Sequence, residues 1–394
     1  MDLRYTEQEE AFRAQLRAWL AGVLPSVPPE PARDDWEGRR RWDTDWQRRL
    51  YDAGYAGINW PAEVGGRGAS PTEQLIFLEE TEKAHAPYVG VNFVGLLHAG
   101  PTLIAEASAE QRARHLPAIL KGEEVWCQGF SEPGAGSDLA SLRTRAVRDG
   151  DDYVITGQKI WTSFAQVADH CELLVRTSPD APKHRGITWL ILPMDSPGIE
   201  IRPLRTIAGS TEFSEVFLDE VRVPVANRVG PEDDGWRVAM VTFSFERGTA
   251  FVSEMLQTRE LLRDLAGLVP AGDASARREL GRLRADLDAL WALTKRNVSQ
   301  AARTGVPGVG GSVFKLHYSE TRNRLGDLAM RVLDRGALTL EDEHVRGRLH
   351  AISLGIAAGT SQIQRDIVAE RILGLPKEPD HRRPGDKERS WTSS

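Results

Sequence analysis

The middle of the chain constrains the fold most, because it indicates a series of short β-strands with no helix-length segment between them. The strand candidates are residues 153–162, 172–176, 187–192, 199–202 and 215–218. Two of them (172–176 and 187–192) are strongly apolar, two alternate apolar with polar residues, and the first has the central glycine of a hairpin. Strands joined without crossover helices pair in an antiparallel way. The sequence therefore predicts a mainly antiparallel sheet in this region.

Helical periodicity precedes the strands. Thr6, which is followed by acidic residues, predicts a capped helix start, and Phe12, Leu16 and Leu20 then recur at helical spacing. Further helices are predicted at residues 43–53, 71–84, 93–107 and 109–120, with a glycine-rich loop at 57–68.

Helical periodicity returns after residue 234. Helices are predicted at residues 235–266, 275–303, from Ser312 onward and at 345–373, with a glycine loop at 305–311 and a charged tail after Pro376. The predicted fold class is α+β. It comprises an N-terminal α-helical domain (1–122), a middle antiparallel β-barrel-like domain (123–232) and a C-terminal four-helix-bundle-like domain (233–394).

The composition limits the classes of function. The 394 residues are 41% hydrophobic, which is enough to bury a sizeable interior over two or three domains. The net charge of −7 argues against a general nucleic-acid-binding protein. Cys127 and Cys171 lack a CxxC spacing and are predicted to be buried thiols, so no metal site is expected. Without a signal-peptide pattern or a long apolar window, a cytoplasmic protein with no membrane partner is expected.

The loop CQGFSEPGAGSD at residues 127–138 places glycines between hydroxyl and acidic side chains. Glycines let backbone N–H groups approach a ligand closely, and Ser131 and Ser137 can each donate and accept hydrogen bonds. Such a loop can hold a polar cofactor edge or a phosphate. Because glycine- and serine-rich turns are also common as purely structural elements, the loop alone leaves both interpretations open.

Four ordered motifs resemble those of the acyl-CoA dehydrogenases. They are FSEPGAGSD (130–138), GQKIWTS (157–163), FSEVFLDEVRVP (213–224) and GTSQIQR (359–365). In this order they are similar to the family's first signature, its flavin-contacting hairpin, the strand pair that ends its β-domain and its C-terminal signature. The order of helical and strand regions agrees as well, so the resemblance covers nearly the whole chain.

The resemblance implies a cofactor, a reaction and an assembly. FAD would bind noncovalently between the middle domain and the C-terminal bundle, usually in a tetramer. An acyl-CoA would be oxidised to the trans-2-enoyl-CoA, as in fatty acid or sterol side-chain β-oxidation, with electron-transfer flavoprotein as acceptor. A carboxylate must remove the α-proton while the β-hydride passes to flavin N5, and hydrogen-bond donors must stabilise the enolate-like charge on the thioester oxygen.

Site residues are implied position by position. Eight positions match residues that contact FAD in the family: Gln128, Phe130, Ser131, Ser137, Trp161, Ser163, Thr360 and Gln362. Ser137 also matches a position near the thioester arm. Ser131 can equally cap a turn and Trp161 can equally be a core residue, so those interpretations stay open.

The usual catalytic position is the main departure from the family pattern. Familiar members carry a glutamate just before the Gly-Thr of the last helix, where this chain has Ala358, and alanine cannot accept a proton. The segment TFSFERG (242–248) resembles the branch, including isovaleryl- and long-chain acyl-CoA dehydrogenases, whose base lies on the first helix of the C-terminal domain. The resemblance therefore implies Glu246 as the catalytic base, although a solvated glutamate paired with a basic neighbour has the same pattern. The substrate-binding positions implied are Ser137, Arg247, Ala358 and Gly359.

Two further departures concern assembly. The Arg-x-x-Phe-Gly element that reaches a neighbouring subunit's FAD is replaced at residues 310–315, and the Gly-Gly loop is reduced at 334–337. Both changes resemble an actinobacterial-type branch with bulky CoA substrates and α2β2 heterotetramers, so a homotetramer or a heterotetramer is implied. Two alternatives stay open: a flavin oxygenase or oxidase of the same fold, and a low-activity partner subunit of a heterotetrameric acyl-CoA dehydrogenase.

Overall fold

The computed structural model describes residues 5–246, 251–304 and 310–377, without the side chains of residues 245, 246 and 301–304. A helical region, a β-region and a second helical region follow one another along the chain. This order confirms the predicted fold class. The predicted domain boundaries at 122/123 and 232/233 stay predictions, and the first coincides with the end of a helix at Gly122, whose φ is +70°.

The described N-terminal region is built of five α-helices, and all but the fourth begin at a residue whose side chain caps them. They are α1 (Glu7–Val23), α2 (Trp36–Asp52), α3 (Pro71–Lys83), α4 (Gly100–Glu106) and α5 (Ala109–Lys121). In α1, Thr6 Oγ1 accepts from the Glu9 N–H while Glu9 Oε2 accepts from the Thr6 N–H, so the predicted cap is confirmed. The helix α2 begins earlier than predicted, because Asp35 caps it by accepting from the Gly38 N–H.

The helix predicted at residues 93–107 is interrupted. Gly95–Ala99 form a π-helical turn that continues into α4, and the Gly100 N–H donates to the carbonyl of Gly95. Pro101 follows at the start of α4 and has no N–H with which to continue the regular ladder. The prediction of one regular helix here is therefore wrong.

Eight strands within the described residues form one sheet. They are β1 (Trp126–Gly129), β2 (Arg145–Asp149), β3 (Asp152–Ser163), β4 (His170–Arg176), β5 (Ile187–Pro193), β6 (Ile199–Leu204), β7 (Phe213–Pro224) and β8 (Arg228–Val229). The order is β6-β7-β3-β2-β4-β5-β8, with β1 also on β4. Only the β1–β4 and β2–β4 pairs are parallel, so the mainly antiparallel prediction is confirmed. Cys127 and Cys171 lie opposite each other in this sheet as free, buried thiols, as predicted.

The hairpin predicted at residues 153–162 is wrong. The segment is a single strand, β3, that pairs along its length with β7. Gly157 lies where a Cβ would come within 2.7 Å of the Thr144 Cα. The glycine therefore marks a close approach of two chain segments and not a turn.

The C-terminal region is a helical bundle with a core of its own. Its helices are α6 (Gly235–Glu246), α7 (Val252–Leu268), α8 (Ala274–Thr304), α9 (Gly310–Leu333), α10 (Glu343–Leu354) and α11 (Ser361–Ile367). Ser312 lies inside α9 and does not begin it. Most of the predicted glycine loop (305–309), the link between α6 and α7 (247–250) and most of the tail (378–394) lie outside the described residues.

The long helix predicted at residues 345–373 is also wrong. The helix α10 ends at Leu354, and α11 begins after Thr360, which caps it by accepting from the Ile363 N–H. Between them Ala358 and Gly359 have φ values of +51° and +83°. Two successive left-handed residues cannot continue a right-handed helix.

Candidate functional site

A buried ion pair fixes the glycine- and serine-rich loop to β3. Lys159 Nζ lies 2.9 Å from Glu132 Oε1 and also donates to the Phe130 carbonyl at 3.1 Å. The two carboxylate oxygens of Glu132 accept from the N–H groups of Arg143 and Thr144. Burial acts to raise the pKa of Glu132, but the Lys159 ammonium and these hydrogen bonds lower it overall. These buried contacts therefore hold the loop in one conformation.

This anchor was missed by reasoning from the motif, although the strand pattern contains a signal for it. Lys159 has the same parity along β3 as Tyr153 and Ile155, and all three side chains are fully buried. A lysine on the buried face of a strand needs a partner, because burial disfavours its charged form and lowers its pKa. Glu132 is the acidic residue of the loop that meets it.

The loop and the end of β3 leave an aromatic ring and hydroxyl groups accessible. Trp161 is 58% exposed, with φ at +62°, and its ring meets Phe213 edge-on with centroids 6.1 Å apart. Ser131 and Ser163 are half-buried and Ser137 is exposed. The Ser131 carbonyl accepts from the Ile160 N–H at 3.0 Å, so this serine lies beside the strand that carries Trp161. A large exposed ring on a strained residue is typical of a ligand-facing surface.

Gln128 and Phe130 lie deeper than these residues. The Gln128 carboxamide lies 2.8 Å from Glu172 Oε1 and 3.2 Å from His98 Nδ1. Burial lowers the pKa of His98 to about 4, so its ring is neutral at pH 7. Phe130 is buried, and its ring packs edge-on against Phe243 of α6 at 5.9 Å. These two residues therefore lie in the interior, in contact with the π-helical turn (Gln128) and with α6 (Phe130).

The turn between α10 and α11 is held by two side chains. Lys315 Nζ donates to the carbonyls of Leu354 at 2.8 Å and Gly359 at 2.7 Å, and Gln364 Nε2 donates to the Ala358 carbonyl at 3.1 Å. Burial lowers the pKa of Lys315 to about 8. These contacts keep Ala358 in its left-handed conformation, with its methyl group exposed.

The FAD positions implied on this last segment differ in their surroundings. Thr360 Oγ1 is occupied as an acceptor by the helix cap but can still donate a hydrogen bond. Gln362 is exposed on α11.

The helix α6 carries Glu246 at its end. Thr242, one helical turn earlier, is buried, and its hydroxyl lies 2.8 Å from that of Thr102 on α4. Positions four apart share a helix face, so position 246 lies on the same face of α6 as Thr242. The side chain of Glu246 and all of Arg247 lie outside the described residues.

A second glutamate, Glu254 on α7, was missed by the motif comparison. Its side chain is partly buried, and burial raises its pKa to about 7, an effect that Arg322 opposes and Glu212 reinforces. Tyr88 and Tyr318 lie close enough for the Glu254 charge to add to the effect of burial in raising their pKa values. The sequence contained one signal for this burial. Glu254 lies four and eight positions before the buried residues Thr258 and Leu262, and so on the same face of α7.

The described residues fit FAD, the cofactor that the resemblance implies. A Cβ added at Gly134 or Gly136 would meet no heavy atom within 4 Å, so the backbone there is open to a ligand. Trp161 offers an exposed ring, and Ser131, Ser137 and Ser163 offer hydroxyl groups. The anchored loop can therefore face a flat, polar cofactor.

No helix within the described ranges is both long enough and apolar enough to cross a membrane.

Comparisons with known proteins agree along nearly the whole chain. Residues 6–123, 127–221 and 233–373 match the N-terminal, middle and C-terminal domain models of acyl-CoA dehydrogenases. Acyl-CoA dehydrogenase IpdE1 from Mycobacterium tuberculosis is 41% identical over 387 residues, which cover 94% of this chain and 98% of that protein.

Solved structures agree as well. The Tcur3481-Tcur3483 steroid ACAD aligns with a TM-score of 0.81 and 32% identity over 96% of this chain and 100% of that chain. The ChsE4-ChsE5 complex from Mycobacterium tuberculosis aligns with a TM-score of 0.80 and 35% identity over the same shares. With three matching domains and a relative of this identity over nearly its full length, the chain belongs to the acyl-CoA dehydrogenase family of oxidoreductases.

Proposed function

We propose that this chain catalyses the FAD-dependent α,β-dehydrogenation of an acyl-CoA thioester to the trans-2-enoyl-CoA. The observation that carries the proposal is the loop held by Lys159 and Glu132 beside the exposed ring of Trp161. The family is FAD-dependent, and FAD when bound supplies the acceptor for the hydride that leaves the β-carbon. The loop hydroxyls and the Trp161 ring orient the cofactor.

The proposed base is Glu246. Its support is the family position together with the packing of Thr242 on the same helix face. Glu254 is the competing carboxylate, since burial already places its pKa near the operating pH. Replacing each by glutamine separates the two, because an amide keeps the shape of the side chain but cannot accept the α-proton.

The thioester oxygen needs donors as enolate charge develops on it. The Ala358 N–H is the proposed donor, a role that requires no side chain at this position. Lys315 and Gln364 act through this turn as positioning residues, since they hold the carbonyls of Gly359 and Ala358. Ser137 and Arg247 are proposed to contact the substrate.

The proposed substrate class is a bulky, steroid-derived acyl-CoA. Support comes from the aligned steroid ACAD and from the small residues at 357 and 358, which leave space at the turn. The test is anaerobic flavin bleaching across a panel of short, long, branched and steroid side-chain acyl-CoAs, with the product identified by mass spectrometry. Fastest bleaching with the steroid side-chain thioester and an enoyl-CoA product are expected. Rapid O2 consumption without an enoyl-CoA product would instead favour a flavin oxidase or oxygenase.

The proposed assembly is a tetramer, with electron-transfer flavoprotein as the acceptor. Each of the two aligned structures is named for two different proteins, which supports a heterotetramer over a homotetramer. Leu338, Ile356 and Leu373 are exposed on the C-terminal region at 87%, 65% and 65%, as residues at subunit contacts are before assembly. The native mass of the chain purified alone tests this. A colourless, flavin-free protein would favour the role of a low-activity partner subunit.

A further inference from the structure

Two histidines and a glutamate converge where the N-terminal helices meet the sheet. His115 lies on α5, Glu124 lies between α5 and β1, and His170 begins β4. One potential ligand atom from each side chain lies within 4.8 Å of the other two. The proposed dehydrogenation uses none of these three groups.

The separations of the ligand atoms suit a small transition-metal ion. His115 Nδ1 lies 2.9 Å and His170 Nδ1 lies 3.7 Å from Glu124 Oε2. Zinc binds imidazole nitrogen at about 2.0–2.1 Å and carboxylate oxygen at about 2.0–2.2 Å in a tetrahedral arrangement, which places neighbouring ligand atoms about 3.3–3.5 Å apart. These two separations lie on either side of this range, and the third is at most 4.8 Å. Coordination therefore requires the side chains to shift and metal bonds to replace the hydrogen bond between His115 and Glu124.

The three side chains are already oriented and shielded by their neighbours. Trp126 stacks on His170 with centroids 5.1 Å apart, and its Nε1 donates to Glu124 Oε2 at 3.1 Å. The side chains of His115, Glu124 and His170 are only 5%, 15% and 11% exposed. Ligands that are held in place before binding lose little conformational entropy when they coordinate an ion.

One ring nitrogen of the cluster lacks a hydrogen bond. His170 Nδ1 is buried and has no hydrogen-bond partner within the described ranges. A buried polar atom without a partner costs free energy, and coordination to a metal would remove this cost. A purely structural His115–Glu124 hydrogen bond would explain the 2.9 Å contact but not this nitrogen.

We propose that His115, Glu124 and His170 form a Zn²⁺ site, with two imidazole nitrogens and one carboxylate oxygen as protein ligands and water in the fourth position. Two imidazoles with one carboxylate are a common ligand set for zinc. The bound ion would join α5 to the parallel pair β1–β4, since Trp126 and His170 are register partners in that pair. Its role is to stabilise the contact between the helical region and the sheet.

The test is calorimetric titration of tag-free, EDTA-treated holoenzyme with Zn²⁺. The wild-type protein should bind one ion per chain, and Zn²⁺ should raise its Tm. His170→Ala and Glu124→Gln should weaken binding by about 100-fold or more and abolish the rise in Tm, since each removes a ligand. His350→Ala, at an exposed histidine on α10, is the matched control and should behave like the wild type.

Two outcomes would overturn the proposal. One is the absence of stoichiometric binding in the wild type, and the other is equal binding by the wild type and Glu124→Gln. Glu124→Gln preserves side-chain size and the acceptor for Trp126 Nε1, so it is expected to fold even if His170→Ala does not. Unchanged flavin content and circular dichroism establish folding for each variant.

Discussion

Lys159 Nζ lies 2.9 Å from Glu132 Oε1 in a buried ion pair that connects the glycine-rich loop to β3. The pair is hidden beneath the loop, whereas Ser131, Ser137 and Trp161 remain accessible above it. Glycines alone would leave such a loop with many conformations. The ion pair and the hydrogen bonds of Glu132 select one of them.

Breaking this ion pair should lower the stability of the protein, because it removes a structural contact and not a reacting group. Lys159→Met leaves the Glu132 carboxylate buried without its cation, and such losses lower the free energy of unfolding by about 3–5 kcal/mol. Urea unfolding with measurement of retained flavin checks this. Lys183→Met is the matched control, because Lys183 pairs with Asp138 of the same loop at the surface, where an ion pair contributes about 1 kcal/mol or less. Equal destabilisation by both variants would contradict the role assigned to Lys159.

Lys315 should make stability depend on pH in the alkaline range. Burial lowers its pKa from 10.5 to about 8, so between these values the unfolded chain binds a proton that the folded chain does not. The contribution of Lys315 to the free energy of unfolding therefore rises as pH increases from 8 towards 10.5. In Lys315→Met this rise should be absent, and urea unfolding of both proteins across this range measures the difference. If the free energies of unfolding of the two proteins changed in parallel with pH, the lowered pKa of Lys315 would be contradicted.

Glu254 should produce the opposite dependence near neutrality. Its pKa is raised from 4.5 to about 7, chiefly by burial, so the folded chain holds a proton that the unfolded chain releases. Its contribution to stability is fully present below pH 4.5 and is lost as pH rises through 7. Glu254→Gln removes this loss, so the variant should gain stability relative to the wild type between about pH 5 and pH 8. Denaturant unfolding of both proteins at about pH 5 and pH 8 checks this. A difference in the free energy of unfolding between variant and wild type that is the same at both pH values would contradict the prediction.

Trp161 should contribute to cofactor binding and not to folding. Aromatic contacts contribute about 0.5–1.5 kcal/mol, so Trp161→Ala should weaken FAD binding by about 2- to 13-fold. The free energy of unfolding of the apoprotein should stay within about 0.5 kcal/mol of the wild type, since the ring is mostly exposed. Flavin fluorescence titration and apoprotein unfolding measure the two quantities. Leu268→Ala, at an exposed apolar residue at the end of α7, should change neither.

Local patterns in the sequence were sufficient to predict elements with one exposed and one buried face. The capping box at Thr6 and the spacing of Phe12, Leu16 and Leu20 predict α1 because both signals lie within the helix itself. The strands β6 and β7 could be predicted from their alternation, whereas β4 and β5, which are buried on both faces, could be predicted from their apolar composition. The motifs also pointed to Ser131 and Trp161 as site residues, which stays a prediction; the structure places Ser131 beside the strand that carries the exposed Trp161 ring.

Features that depend on distant residues could not be predicted in this way. The break at Ala358 is held by Lys315, which lies on another helix, so the local sequence still favoured one long helix. Gly157 indicated a turn because its close neighbour, Thr144, is known only from the fold. The cluster of His115, Glu124 and His170 depends on the parallel pairing of β1 with β4, which no spacing in the sequence indicates.

The most direct test of the proposed mechanism is the rate of anaerobic flavin bleaching by a steroid side-chain acyl-CoA in Glu246→Gln. The variant should retain yellow, bound flavin but bleach at least about 100-fold more slowly than the wild type, as expected when a general base is removed. Glu254→Gln, treated identically, should retain at least a large part of the wild-type rate. Undiminished bleaching by Glu246→Gln would contradict Glu246 as the base. If bleaching were lost only in Glu254→Gln, the base would instead be Glu254.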